Sequence, residues 1–444
     1  MRPPGPTKFA AIARIPRFRN DHLAGFRNGW ETYGDLYHVA VAGRDIWVCS
    51  NPDLMKEVLV DGRDLWQRID QTRRGEPFGL RLALGEGLLT TDGAEWVWRR
   101  HMINPVFHRE LVKGMTAAMF DAGEAMLVRL GDAARHGRAV NLLAETKHVT
   151  QDIISRTMFS SDLDNESGKV GDAVDDALRY VSKRATRLLE LPLSPSSKEQ
   201  RRFDNAMARI DKAVYEGIER RRRTGVTGND LLGVLLTATD EQTGQRLTDQ
   251  QIRNEVATIY GAGHETTANA LAWAWHELMQ RPEVLARLQE EVDATDPIDI
   301  DALRYTRMVL DETLRFRPPV PLNGRVATAP TTLGGFDVAP GSSALLVVNN
   351  VHRHPDHWEN PETFDPDHFL PEAGAKRHRY AYLPFGAGPH MCIGSGFALI
   401  EGTLLLAMMA RAFTFESTTP LPRRSVTAVT MKPRSGLPAL VSVR

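Results

Sequence analysis

The sequence predicts a mainly α-helical protein with small β-sheets, folded as one domain over residues 1–444. Three observations predict it. Helical periodicity dominates from about residue 95 to 315. Strand patterns are confined to two regions on either side of that middle, 36–50 and 331–348. No low-complexity linker and no fixed-period repeat divides the chain. Two strand regions enclosing a helical middle are expected to pair in one sheet. At 444 residues, with 42% apolar and 25% charged residues, the chain can bury a large core. Its net charge of -1 gives no general attraction to nucleic acid. Two cysteines, Cys49 and Cys392, exclude a disulfide framework or a four-cysteine zinc site and suit a reducing cytosol.

The first residues, MRPPGPTKFAAIARIPRF, hold no long apolar run and read as neither signal peptide nor membrane anchor. LYHVAVAGRDIWVCS (36–50) alternates on both sides of Gly43, as a hairpin does. Cys49, at the end of that pattern, reads as a small core residue. In GAEWVWRRHMINPVF (93–107), Trp96 and Arg100 are four apart and share a helix face. The cluster Arg220 to Arg223 reads as a solvated helix end before a loop, TGVTGND. Thr248-Asp249-Gln250-Gln251 has capping-box spacing. The helix it starts runs to Gln280, where Arg281-Pro282 ends it; about 32 residues make it roughly 48 Å long. Glu312 and Arg315, in DETLRFRPP, share one face of a helix that Pro318-Pro319 closes, and alone they read as a surface ion pair. Strands at 331–348 turn at Gly334-Gly335 and at Pro340-Gly341. HRHPDH (352–357) reads as a loop despite its three histidines. ALIEGTLLLAMMARAF (398–413) contains Glu401 and Arg411 and reads as a buried helix.

The chemistry centres on FGAGPHMCIG (385–394). Gly386 and Gly388 permit backbone turns that a side chain hinders, and Gly394 leaves room beside the thiol. Such a loop can aim several N–H groups at Cys392 and stabilise a thiolate. The thiolate could be a nucleophile or a metal ligand; as a nucleophile it needs a base, and His390 has no evident orienting partner in the sequence. A second weak point lies in the long helix, at YGAGHETTANA (260–270). Gly261 and Gly263 each cost it roughly 0.5–1 kcal/mol relative to alanine. Thr266 can bond the carbonyl four residues back, and a local opening is expected there. A zinc-protease reading of His264-Glu265 fails because position 268 is alanine.

Phe385-x-x-Gly388-x-x-x-Cys392-x-Gly394 resembles the haem-binding loop of the cytochrome P450 family. The resemblance implies that Cys392 is the axial ligand of haem iron, pushing electron density that favours O–O cleavage. It places Phe385 beside the sulfur and His390 on a haem propionate, where many members carry Arg. YGAGHETTANA is similar to the oxygen-activation segment, with Glu265 carrying protons and Thr266 ordering them. Glu312 and Arg315 match the family's buried Glu-x-x-Arg pair, and His368, in FDPDHF, stands where a third member, Arg, is expected. Trp96, Arg100 and Arg325 are implied as further propionate contacts. These motifs run in family order from 93 to 394, and the flanking strands fit. The implied fold is a triangular, α-rich prism with haem between the long helix and the cysteine loop.

A haem-thiolate monooxygenase is therefore expected, with haem b, O2 as co-substrate and NAD(P)H supplying electrons indirectly. No flavin or iron–sulfur module is visible, so a separate ferredoxin or flavodoxin with its reductase is expected as partner. A cytoplasmic monomer without a membrane anchor is implied. The substrate pocket should draw on Phe78, Leu80, Leu82, Leu84, Ile259, Val320, Leu322 and Val429, which suits a lipid, terpenoid or polyketide. A peroxide-driven haem peroxygenase, a haem isomerase and a non-catalytic haem sensor are the alternatives.

Overall fold

The structure is a computed structural model. It describes all residues except 1, 8–20, 42, 70, 71, 74, 75, 161–166, 186–196, 226–229, 240–243, 297, 422–424, 428 and 435. Most of the N-terminal stretch and of the TGVTGND loop thus lies outside the described residues.

The predicted hairpin forms: β1 (Leu36–Val41) pairs antiparallel with β2 (Arg44–Cys49). The sheet has five strands in the order β1-β2-β5-β4-β3, where β3 is Trp66–Arg68, β4 is Asn323–Ala327 and β5 is Ser343–Leu346. β5 runs parallel to β2, with Ile46 opposite Ser343 and Cys49 opposite Leu346. The two strand regions flanking the helical middle do meet in one sheet, and Cys49 is fully buried there. Thr331–Leu333 and Phe336–Val338 form a separate hairpin across Gly334-Gly335. At the other edge β3 and β4 are antiparallel, and their register sets Arg68 directly opposite Arg325.

Six helices frame the interior: α1 (Gly93–Ile103), α2 (Leu142–Phe159), α3 (Ser167–Ala185), α4 (Asp249–Leu278), α5 (Arg304–Phe316) and α6 (Ser395–Ala412). Helix α4 has 30 residues, about 45 Å. Thr248 caps it through the reciprocal bonds of a capping box with Gln251. Its burial is nearly continuous on all faces, because other elements surround it. On α2, the Thr146 and Thr150 hydroxyls donate to the Ala268 and His264 carbonyls, each at 3.0 Å. These bonds bring the two helices so close that a Cβ on Gly263 would lie 2.7 Å from Ile154 Cδ1.

Helix α6 is long and apolar enough to cross a membrane, yet 61% of it is buried in the core. The basic cluster departs from the expected solvated end. Arg221 is buried and grips Asp230 with two bonds of 2.9 and 2.8 Å, because Asp230 caps the next helix and needs a cation in that dry position. Arg222 pairs with Asp249 at the surface.

Candidate active site

The cysteine loop is built by short-range backbone bonds. Gly386 N–H donates to Leu383 O (3.0 Å), Met391 N–H to Gly388 O (3.1 Å) and Cys392 N–H to Phe385 O (2.9 Å). Gly388 has φ +70°, and a Cβ there would sit 1.9 Å from the Leu59 carbonyl oxygen, so no other residue fits. Cys392 is a free thiol facing an interior cavity. Burial pushes its pKa up, while the Gly394 N–H and the Arg100 charge act the other way. Among the expected N–H donors, Gly394 is the one the structure aims at the sulfur.

The cavity lies between this loop and α4. Phe385, His390 and Cys392 line one side, and Gly261, Ala262, Glu265 and Thr266 line the other. Thr266 Oγ1 donates to the Ala262 carbonyl at 2.8 Å, the predicted bond to the residue four back. The expected local opening is absent: α4 is helical through this segment. The close fit of Gly263 to Ile154 shows why small residues stand here: they admit a neighbouring helix on one side and leave cavity space on the other. Glu265 is buried, and its Oε1 lies 3.0 Å from Lys432 Nζ.

Leu80, Leu84, Ile259, Val320 and Val429 line the cavity as expected. Phe78, Leu82 and Leu322 do not. Leu82 lies between Leu80 and Leu84 on a one-turn helix and packs into the main core, and Leu322 packs with Trp273 and Met431.

One end of the cavity gathers cationic side chains. Arg68, Arg100 and His390 line it, and Arg325 lies beside Arg68 across the strand pair. Arg325 is buried. Like charges directly opposite in a sheet are destabilising. Arg68 donates to the carbonyls of Leu88 (2.6 Å) and Thr91 (3.3 Å) and Arg325 to Asn323 Oδ1 (2.7 Å), so neither finds an anion by hydrogen bonding through its side chain. Burial, then repulsion from Arg325, lowers the Arg68 pKa to about 10 although Asp92 opposes this. Burial also lowers Arg100 and Arg325.

Trp96 is buried on α1, its ring 4.0 Å from that of His390. The two rings meet at a tilt of 47°. His390 also has the orienting partner that was not evident in the sequence: its Nε2 is 3.2 Å from Asp92 Oδ1. Burial would raise Asp92, but His390 and the N–H groups of Arg68 and Gly93 outweigh it and hold the carboxyl well below its ordinary range. Trp96 Nε1 and His390 Nδ1 are buried without partners among the described residues. Three guanidinium groups face a single carboxylate, and two polar nitrogens are orphaned beside them. This end is built for a bound anion.

Behind the cysteine loop, Glu312 and Arg315 are fully buried, unlike a surface pair. Arg315 meets Glu312 with two bonds of 2.6 Å and donates to the carbonyls of His352, Pro361 and Thr363. His368 does take the third place, with Nδ1 3.2 Å from Glu312 Oε1 and Nε2 2.7 Å from the Glu359 carbonyl. Arg377 bonds the His368 carbonyl and lies over the Trp358 ring. His352 accepts the Leu383 N–H (3.0 Å), which ties this network to the start of the cysteine loop. The histidines of 352–357 serve such packing, and no metal-binding cluster exists among the described residues.

Arg68, Asp92 and Lys432 were missed by sequence reasoning. Asp92 could have been found as the N-cap of α1, since it accepts the Gly93 N–H. Arg68 and Lys432 lie on short strands far along the chain from their partners, and nothing local marks them.

The family model for cytochrome P450 matches residues 3–438. The chain belongs to the cytochrome P450 family. It is 34% identical over 394 residues to cyclooctat-9-en-7-ol 5-monooxygenase of Streptomyces melanosporofaciens, covering 85% of this chain and 82% of the relative. It is 33% identical over 414 residues to cyclooctatin synthase of the same organism, covering 89% and 87%. A crystal structure of the cytochrome P450DA heme domain superposes with TM-score 0.85 at 27% identity, covering 100% of this chain and 96% of that one. The expected fold, an α-rich P450 prism with small sheets, is thereby established, and so is its class of activity: a P450 monooxygenase, an oxidoreductase that uses haem and O2. Members of this family generally take electrons from NAD(P)H through partner proteins and bind apolar substrates.

Proposed function

We propose that this P450 hydroxylates a C–H bond of a terpenoid-like small molecule, inserting one atom of O2, within one domain spanning 1–444. The observation that carries this is the cavity itself: a free thiol on one wall, a threonine and a carboxylate on the other, a cationic end and an otherwise mainly apolar lining. The residues suit haem b. Cys392 would ligate its iron, with Phe385 beside the sulfur. Arg68, Arg100, Arg325, His390 and Trp96 would hold its propionates, which supply the anion that the opposed arginines lack. Bound haem supplies O2 activation and oxygen transfer.

The protein's own part is positioning and proton handling. The Cys392 loop holds the thiolate at a fixed height, because Phe385 and Leu383 anchor it by backbone bonds. Thr266 keeps its hydroxyl on the cavity wall by donating to Ala262, which leaves its oxygen free to accept a proton donor. Glu265, one residue away, carries protons in from the Lys432 side. Apolar side chains at Leu80, Leu84, Ile259, Val320 and Val429 exclude water and grip substrate through area alone. The relatives' names point to a fused-ring terpenoid alcohol as the first compound to try. A ferredoxin or flavodoxin, with its reductase, would deliver electrons at the face nearest Cys392, in the cytoplasm.

Two measurements test this. The reduced protein with carbon monoxide should show the far-red Soret band of thiolate ligation, and Cys392→Ser should abolish it. Cyclooctat-9-en-7-ol or a related alcohol should shift the ferric spin state and yield a hydroxylated product with a surrogate ferredoxin system. A histidine-type spectrum in the wild type would overturn the cysteine assignment. Product formation with peroxide alone, but not with NADPH and partners, would overturn the O2-dependent route.

A further inference from the structure

Three consecutive turns of α4 face the C-terminal hairpin formed by Ser425–Thr427 and Met431–Pro433. Glu265, Asn269 and Trp273 are spaced by four residues and form one stripe. Each touches the hairpin. Glu265 Oε1 meets Lys432 Nζ at 3.0 Å, Asn269 Nδ2 donates to Thr430 Oγ1 at 3.2 Å, and Trp273 Nε1 donates to the Met431 carbonyl at 3.2 Å. Met431 N–H is held in turn by the Pro319 carbonyl at 2.8 Å. The hairpin turn, Val429 and Thr430, lines the same cavity as Glu265 and Thr266. Asn269 Oδ1 is buried, with no partner among the described residues, one turn from Glu265.

The lower two contacts are a hydrogen bond within the interior and an indole on a carbonyl, and both anchor the hairpin. The upper contact is different in kind. Lys432 is about one-third exposed, and the carboxylate it holds is buried. A lysine ammonium on a flexible stem can follow water outward more easily than a carboxylate can. Val429 and Thr430 stand between the cavity and this ion pair in the chain. Glu265 itself lines the cavity beside Val429 and Thr430, so a ligand that fills this corner crowds the carboxylate and parts it from the Lys432 side chain, while the Asn269, Trp273 and Pro319 bonds hold the hairpin in place.

We propose that Lys432 is a positioning residue that latches the Glu265 carboxylate to the hairpin, and that filling the cavity at Val429 and Thr430 opens the latch. The carboxylate is then released toward Thr266 when the cavity is occupied and is held away when it is empty. This rests on the reading of Glu265 as the proton carrier and adds what controls it.

The test uses the haem-loaded ferric protein and 4-phenylimidazole, a probe whose nitrogen takes the iron and whose ring fills the cavity. In the wild type, part of the binding energy goes into opening the ion pair. Lys432→Met removes that cost, so the probe should bind about fivefold more tightly, the amount one partly exposed ion pair can contribute. In the Glu265→Gln background the same Lys432→Met change should alter binding by less than about twofold, since there is no ion pair to open. Lys432→Arg should restore wild-type binding. Infrared difference spectra, with the Glu265 band assigned by subtraction of Glu265→Gln, should show the carboxylate band shift on probe binding in the wild type. In Lys432→Met the band should already stand at the shifted position. A hairpin that is merely destabilised would change binding equally in both Glu265 backgrounds and would not be rescued by arginine; that result, or an unshifted wild-type band, overturns the latch. Absence of any nitrogen-ligand spectrum would instead overturn the haem reading on which it rests.

Discussion

Replacing Arg315 by leucine removes five N–H donors from a fully buried site. Two serve Glu312, and three serve the carbonyls of His352, Pro361 and Thr363. What remains is a carboxylate with no cation, kept only by the Asp365 N–H (2.7 Å) and His368. Breaking one partner of a buried pair costs about 3–5 kcal/mol. Stranding carbonyl oxygens adds about 1 kcal/mol or more each where water cannot enter. Because these groups share one network, the sum is not additive, and about 4–6 kcal/mol is expected. Against a typical total of about 5–15 kcal/mol, that leaves a marginal protein. The loss also reaches the site, since His352, whose carbonyl Arg315 holds, accepts the Leu383 N–H at the base of the cysteine loop. Urea unfolding followed by tryptophan fluorescence, alongside the fraction of protein giving the thiolate carbon monoxide band, measures both effects. Arg315→Lys, which keeps the charge but at most three donors, should fall between wild type and Arg315→Leu. A loss below about 1 kcal/mol in Arg315→Leu, with full haem content, would refute the reasoning.

Removing Arg325 should act with opposite sign on the two forms of the protein: Arg325→Met relieves repulsion with Arg68, so the haem-free form should be no less stable, while haem transfer to an acceptor globin should quicken about tenfold. Glu401 is buried on α6, and burial raises its pKa to about 8 despite a hydrogen bond with Thr267. The folded state therefore keeps a proton that the unfolded state releases near pH 4.5, and stability should fall by about 1.4 kcal/mol per pH unit as pH rises from about 5 to 8. Denaturant midpoints at several pH values should show that slope in the wild type and not in Glu401→Gln. Thr266→Ala should leave haem binding intact and raise peroxide release per NADPH several-fold at the expense of product, on the order of the factors lost with a proton-handling group; unchanged coupling would count against its role.

The elements that could be read from the sequence are those whose signals are local. The Thr248 capping box, the Gly43 hairpin and the glycines before Cys392 each announce a backbone geometry within a few residues. The site residues sitting in such segments, Trp96, Arg100, Glu265, Thr266, Phe385, His390 and Cys392, were legible for that reason, and the family pattern supplied their grouping. Arg325 was legible by the pattern alone. Arg68, Asp92 and Lys432 were not, because their meaning depends on partners 257, 298 and 167 positions away, at Arg325, His390 and Glu265. The expected opening in α4 failed for a related reason. Gly263 answers to Ile154 of another helix, and Gly261 to Val174 and Leu84, and propensity within α4 could not show those neighbours.

The pairing of β2 with β5 joins residues 46–49 to residues 343–346. A ribosome has made more than three-quarters of the chain before the first hairpin meets its permanent neighbour, so that edge must wait, uncovered, throughout synthesis. Loop closure over such a span is slow, and an open strand edge invites other chains meanwhile. Expression yield in a host cell should consequently depend on chaperone supply and growth temperature more steeply than the finished molecule's resistance to unfolding would suggest.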